Sequence, residues 1–182
     1  MQAFGAEFCF VQVPCFFFSA YMKERRIIGI DPGLAHTGFG IIDCENSRIS
    51  LVSYGVIETS SNDSHEVRLL YIYNKLLAIL NEFRPTEAEM ETLFFARNTT
   101  SALAVAEAKG VVNLCLVQQA IPIFMYSPNQ IKCAVTGTKS ADKDTVARYV
   151  QLLLNLKQPP RPDHAADALA GAITHFHSTL SA

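Results

Sequence analysis

The segment that most limits what this 182-residue chain can fold into is Ile27-Ile28-Gly29-Ile30-Asp31-Pro32-Gly33. An apolar strand ends in one carboxylate and turns through Pro and Gly. It re-enters as a second strand, His36-Thr37-Gly38-Phe39-Gly40-Ile41-Ile42-Asp43. An Asp in a run of Ile is costly to bury as an anion unless a cation or a set of donors meets it. One resolution is a divalent metal held in a cleft beside the strand, the start of a metal-dependent phosphate-chemistry site. The competing resolution is an Asp that accepts backbone N–H groups in its own turn.

The length predicts one domain with a proper core. Apolar residues make up 49% of the chain, which excludes disorder. The net charge of −2 does not announce a nucleic-acid binder, but its distribution is uneven. Residues 93–182 hold eight Lys or Arg against five acids, and residues 1–92 hold seven against twelve. A mildly basic face beside carboxylates is compatible with a polyanion that approaches the acids through metal; an ordinary solvated surface is the plainer account. The five cysteines (Cys9, Cys15, Cys44, Cys115, Cys133) form no CxxC, zinc pattern or disulfide framework. Cys44, Cys115 and Cys133 read as small apolar residues in a reducing cytosol, so a cytoplasmic location is expected.

Phe8 to Ala20 is largely apolar, lacks a preceding basic region and is interrupted by Pro14. It suits neither a secretory signal nor a bilayer span. Met22 is expected to be the natural start, with residues 1–21 an upstream, non-native or disordered extension and 22–182 a single domain. A targeting or membrane-associating extension is the alternative.

Strands are expected at 26–32, 36–43 and 48–58, then a helix over 63–83 with Val67, Leu70, Leu76, Leu77 and Leu80 at helical spacing. Asp63 or Ser64 is placed to cap it, and Pro85 lies beyond its end. Residues 86–93 permit a helix, but their alternation after Pro85 is read as a short parallel strand. A helix over 98–119 carries Ala102, Ala106 and Gly110 as a small-residue stripe, either a helix–helix contact or packing on its own sheet. A strand at 121–126 and a helix at 128–135 follow. Ser140 or Asp142 caps a helix running to 156, and the final helix covers 163–178. Strands alternating with helices after a β-meander argue an α/β fold: a mixed five-stranded sheet flanked by helices.

Four groups are candidates for one site. Asp31 ends the first strand, and Glu91 ends the fourth. His164 and Asp167 lie one turn apart at the start of the last helix, on one face. Oxygen ligands with at most one imidazole suit Mg²⁺ or Mn²⁺ better than Zn²⁺. Each has a bland reading as well. Asp31 caps a turn, Glu91 is one of three surface Glu, His164 is an exposed helix start, and Asp163 and Asp167 complement the helix dipole.

Taken together, GIDPGLAHTGFGII, METLFFARNTTSALAVAEAKG, the stretch from Ser127 through Lys143 and DHAADALAGAITH resemble the RuvC Holliday junction resolvases, colinearly over residues 26–178. The resemblance implies a ribonuclease H-like fold and a homodimer that cuts a four-way DNA junction symmetrically with divalent metal. It places Asp31, Glu91 and Asp167 on three acidic catalytic positions, and His164 on the fourth, where many members have Asp. The imidazole removes one negative charge and tilts preference toward Mn²⁺; Asp163 is one residue early but close enough to compete. Phe94 falls on an aromatic that meets unpaired bases, with Phe95 beside it. Lys132 and Lys143 fall on lysines near the active site, and Lys139 between them offers a backbone contact.

The expected mechanism is phosphodiester hydrolysis with two ions per site, Mg²⁺ or Mn²⁺, held by Asp31, Glu91, His164 and Asp167. Expected partners are the junction, a second copy of the chain through Ala102-Ala106-Gly110, and the RuvA–RuvB branch-migration complex, with no membrane. The rivals are a non-catalytic junction-binding scaffold, a ribonuclease H-like nuclease acting on RNA, and an actin-like ATPase, for which the chain is too short.

Overall fold

The computed structural model describes residues 25–92 and 99–180. The expectations for residues 1–21, and those for Phe94 and Phe95, lie outside them. The chain runs β1 (Arg25–Asp31), β2 (His36–Glu45), β3 (Arg48–Glu58), α1 (His65–Phe83), β4 (Glu87–Glu91), α2 (Thr99–Gln118), β5 (Ile123–Tyr126), α3 (Pro128–Thr136), α4 (Lys143–Leu153) and α5 (Asp163–Leu180). The five strands form one sheet in the order β3-β2-β1-β4-β5. The first three make an antiparallel meander; β4 joins β1 in parallel, and β5 joins β4 in parallel.

Residues 87–91 are a strand despite their helical propensity. Met90 pairs with Ile30 on one side and Met125 on the other, so ladder bonds and burial outweigh local preference. The first helix begins at His65 rather than 63. Ser64 is its N-cap by backbone conformation, without a side-chain capping bond. Arg84 closes it in the left-handed region at φ 50°, immediately before Pro85. Asp142, not Ser140, caps α4: its carboxylate accepts the Thr145 N–H at 2.7 Å.

The sheet is covered on both faces. Ile28, Ile30, Ile41 and Met90 pack with Ile72 and Leu76 of α1 and Val112 and Leu116 of α2. Ile27 and Ile42 pack with Val146 and Val150 of α4 and with Leu169 and Ile173 of α5. Strand side chains alternate between faces, so Ile27, Gly29 and Asp31 share the α5 side. A Cβ at Gly29 would fall on the Ala168 carbonyl, and one at Gly38 on the His164 carbonyl. These two positions let the start of α5 lie directly on the β1–β2 backbone, and so bring that helix's first turn to the end of β1. Cys44 and Cys115 are buried, as small apolar residues should be, whereas Cys133 is exposed on α3 and does not pack in the core. Among the described residues, no helix is long and apolar enough to cross a membrane.

Candidate active site

The pairing of β1 with β4 ends at Ile30 and Met90, which puts Asp31 and Glu91 side by side at the carboxyl ends of adjacent parallel strands. The first two turns of α5 bring His164 and Asp167 to the same end of the sheet. All four line one cleft of about 540 Å³, together with Lys132 and Lys143. Six of the eight residues singled out by sequence therefore meet. Lys139 does not: it lines a separate groove with Tyr126, Cys133 and Ser178, because the turn after α3 carries it away from the cleft. Phe94 lies outside the described residues. Asp163 is held by Arg161 and faces a neighbouring groove with His36, whereas His164 lines both that groove and the cleft.

The side chains are paired. His164 Nδ1 hydrogen-bonds Asp31 Oδ2 at 2.7 Å. A neutral imidazole that donates from Nδ1 keeps a lone pair on Nε2, free for a metal or for a proton from water. The His36 ring lies nearly parallel to His164, with centroids 5.5 Å apart and 10° between planes. Lys143 Nζ donates to Asp167 Oδ2 at 3.0 Å. Among the described residues, no three His, Cys, Asp or Glu side chains already enclose one point. Asp31 is engaged by His164, and Asp167 by Lys143.

The acids crowd one another. Burial, then the charges of Asp31 and Asp167, push the Glu91 carboxyl above its ordinary value. Burial also raises Asp167, against the Lys143 hydrogen bond and charge that lower it. The same bond raises Lys143. Carboxylates forced together at elevated proton affinity are relieved by a divalent cation. Three hard oxygen donors and one imidazole fit Mg²⁺ or Mn²⁺.

Three residues here were not singled out from sequence. His36 reads as a strand residue, and only the fold stacks it on His164. Lys109 and Glu89 lie beneath Glu91 and are treated below. The alternation Glu87, Glu89, Glu91 suggests a solvated face, but that face is the one α5 covers.

A mixed five-stranded sheet with acids at the ends of two adjacent parallel strands, met by an acid on a covering helix, defines a ribonuclease H-like nuclease. The family model for the crossover junction endodeoxyribonuclease RuvC matches residues 27–175, and the chain belongs to that family. A RuvC of Treponema denticola is 52% identical over 151 residues, which cover 83% of this chain and 85% of the relative. The structure of Thermus thermophilus RuvC superposes with a TM-score of 0.79 at 36% identity, over 86% of this chain and 96% of that one. The same protein in complex with a Holliday junction substrate gives a TM-score of 0.81 at 35% identity, with the same coverage.

Proposed function

We propose that this chain resolves four-way DNA junctions by metal-dependent, symmetric hydrolysis of phosphodiester bonds in recombination and repair. The observation that carries the reading is the meeting of Asp31, Glu91, His164 and Asp167 in one cleft, in a chain of the RuvC family. The named complex of the Thermus thermophilus relative with a Holliday junction supports the substrate.

Asp31, Glu91, Asp167 and His164 would hold divalent cations, Mg²⁺ or Mn²⁺, two per site. When bound, such ions supply an activated water and neutralise charge on the leaving oxygen. Lys143 balances the Asp167 charge through its 3.0 Å bond, and with Lys132 it lines the same cleft, where its ammonium would stabilise charge on the scissile phosphate. His164, its ring fixed by Asp31, would use Nε2 either as a ligand or to orient the attacking water as a base. Phe94 stacks on a splayed base, and Lys139 contacts the DNA backbone beyond the cleft. The products carry 5′-phosphates.

Symmetric cutting needs two sites related by a two-fold axis. The outer face of α2 supports a homodimer. Leu103, Leu114 and Val117 are 62%, 55% and 66% exposed, and Gly110 lies among them with open space around it. Ala102 and Ala106 are half-buried at the margin of this stripe. The reading extends to a cytoplasmic enzyme that works with the RuvA–RuvB complex.

A labelled mobile junction and a linear duplex, each with Mg²⁺, Mn²⁺ or chelator, test the proposal. Metal-dependent paired nicks in the junction alone are expected. Binding without cutting would leave a scaffold, and cutting of RNA instead would move the substrate.

A further inference from the structure

We infer that Lys109 is a positioning residue for Glu91: with the buried Glu89 beneath it, it fixes where that carboxylate points into the cleft. The inference rests on the reading of Glu91 as a metal ligand.

Lys109 sits in the middle of α2, on its inward face beside Ala108 and Val112, and is 8% exposed. A lysine that served only to attract DNA would sit in solvent, as Lys143 does with its side chain 69% exposed. Burying an ammonium is expensive unless its protons are met. The partner here is specific: Lys109 Nζ donates to the Glu91 carbonyl oxygen at 2.5 Å. Glu91 lies one residue past the last β1–β4 pair, so on that side the β1 ladder no longer secures it, and only β5, at Tyr126, still pairs with it. Lys109 therefore adds a hold on the main chain on α2's side of a strand end whose side chain must be aimed.

Glu89 gives the clamp its second half. It is 1% exposed, on the same face of β4 as Glu91, and its Oε1 has no hydrogen-bond partner among the described residues. Its carboxylate lies against Gly171 of α5, where any Cβ would collide with it. An acid in so tight a place cannot swing away. The Lys109 ammonium interacts with both acids and holds the carbonyl that fixes the height of Glu91.

The test compares K109M, which keeps the length of the side chain and removes donor and charge, with K109R and E91Q. Cleavage kinetics on the junction, half-saturating Mn²⁺ and melting temperature are the readouts. K109M should lower kcat and raise the half-saturating metal concentration, each by about tenfold, at unchanged KM for the junction. K109R should recover most of both. If K109M does not fold, E89Q/K109M removes the uncompensated acid as well and should fold with the metal defect intact. Wild-type kcat and metal dependence in a folded K109M or E89Q/K109M would overturn the inference. So would a change in KM alone, which would make Lys109 a DNA contact, or failure of both variants to fold, which would make it only a scaffold residue. E91Q separates the two levels. If E91Q is inactive while K109M is normal, only this inference falls. If E91Q cleaves normally, the reading of Glu91 falls first.

Discussion

Two of the three histidines on helix α5 lie about three turns apart on one face, and each meets a carboxylate of the sheet at nearly the same distance. His164 bonds Asp31 at 2.7 Å at the carboxyl end of β1, and His175 bonds Glu87 at 2.6 Å at the beginning of β4. Their surroundings make them different devices. The His164 side chain is 43% exposed and lines the cleft, whereas His175 is fully buried with both ring nitrogens in hydrogen bonds. Tyr126 Oη pairs with His175 Nδ1 at 2.9 Å, and Arg25 forks onto Glu87 at 2.7 and 2.8 Å. Phe124 stacks on the same ring. The closed network ties β1, β4, β5 and α5 together, and the open one keeps a ligand in reserve.

The comparison breaks hardest at Asp31. D31N preserves an acceptor for His164 but removes the charge shared between ions. Loss of several kcal/mol of transition-state stabilisation should slow junction cleavage by at least about a thousandfold. Junction affinity should hold within about threefold, because the phosphate contacts remain. Gel-based cleavage and binding measured side by side check this, and an active D31N would remove the distinction between the two pairs.

Glu87 should respond in stability instead. E87A strands Arg25 and His175 and should cost about 2 kcal/mol, the scale of hydrogen bonds to charged groups. That lowers the melting temperature by roughly 4–8 °C for a chain of this size. The half-saturating metal concentration should not move. A metal defect in E87A would show that the closed network reaches the cleft.

The two ends of α5 should also carry opposite pH signs. Burial pushes Glu87 up, but hydrogen bonds from Arg25 and His175 outweigh it and leave the acid below its ordinary value of 4.5. Burial holds His175 below 6.5. Both are depressed in the folded protein, so their contribution is present above the unfolded values. It is lost as pH falls, from 6.5 downward for His175 and from 4.5 downward for Glu87. Glu91 and Asp167 are raised from 4.5 and 3.8, so their contribution is full below those values and lost as pH rises through the higher folded ones. Without metal, E91Q should therefore melt higher than wild type at pH 7 and equal to it at pH 4. Mn²⁺ should raise wild-type melting more at pH 7 than at pH 5 and leave E91Q nearly unmoved. Thermal melts across pH decide it, and an E91Q that melts below wild type at pH 7 would contradict the crowding at this end.

The open cleft was legible in the sequence because each of its four residues sits at the boundary of an element. Asp31 closes an isoleucine run, Glu91 ends a short strand, and His164 and Asp167 open a helix at a spacing that fixes their face. The closed network was not. Glu87, like Glu89, alternates with Ala88 and Met90 as on a half-solvated strand, yet a central parallel strand is covered on both faces. Lys109 looks like a surface lysine among alanines until α2 is laid on the sheet. Lys139 could not be directed from sequence, since the turn at Gly137, in the left-handed region at φ 79°, decides which groove it enters. The identity of an element was readable from local pattern, and the identity of what covers it was not.

The smallest expected effect tests what holds the open pair in place. Among the described residues, no pair of rings encloses His164 as Tyr126 and Phe124 enclose His175; the parallel His36 ring is the one that lies over it. An aromatic contact of this kind is worth about 0.5–1.5 kcal/mol. H36A should therefore slow cleavage by about threefold at subsaturating metal and by less when metal is saturating, since a bound ion orients the ring by itself. H36F keeps the stacked face and should behave as wild type. If H36F is as slow as H36A, the imidazole acts through its own nitrogens, and the open end of α5 has two working histidines rather than one.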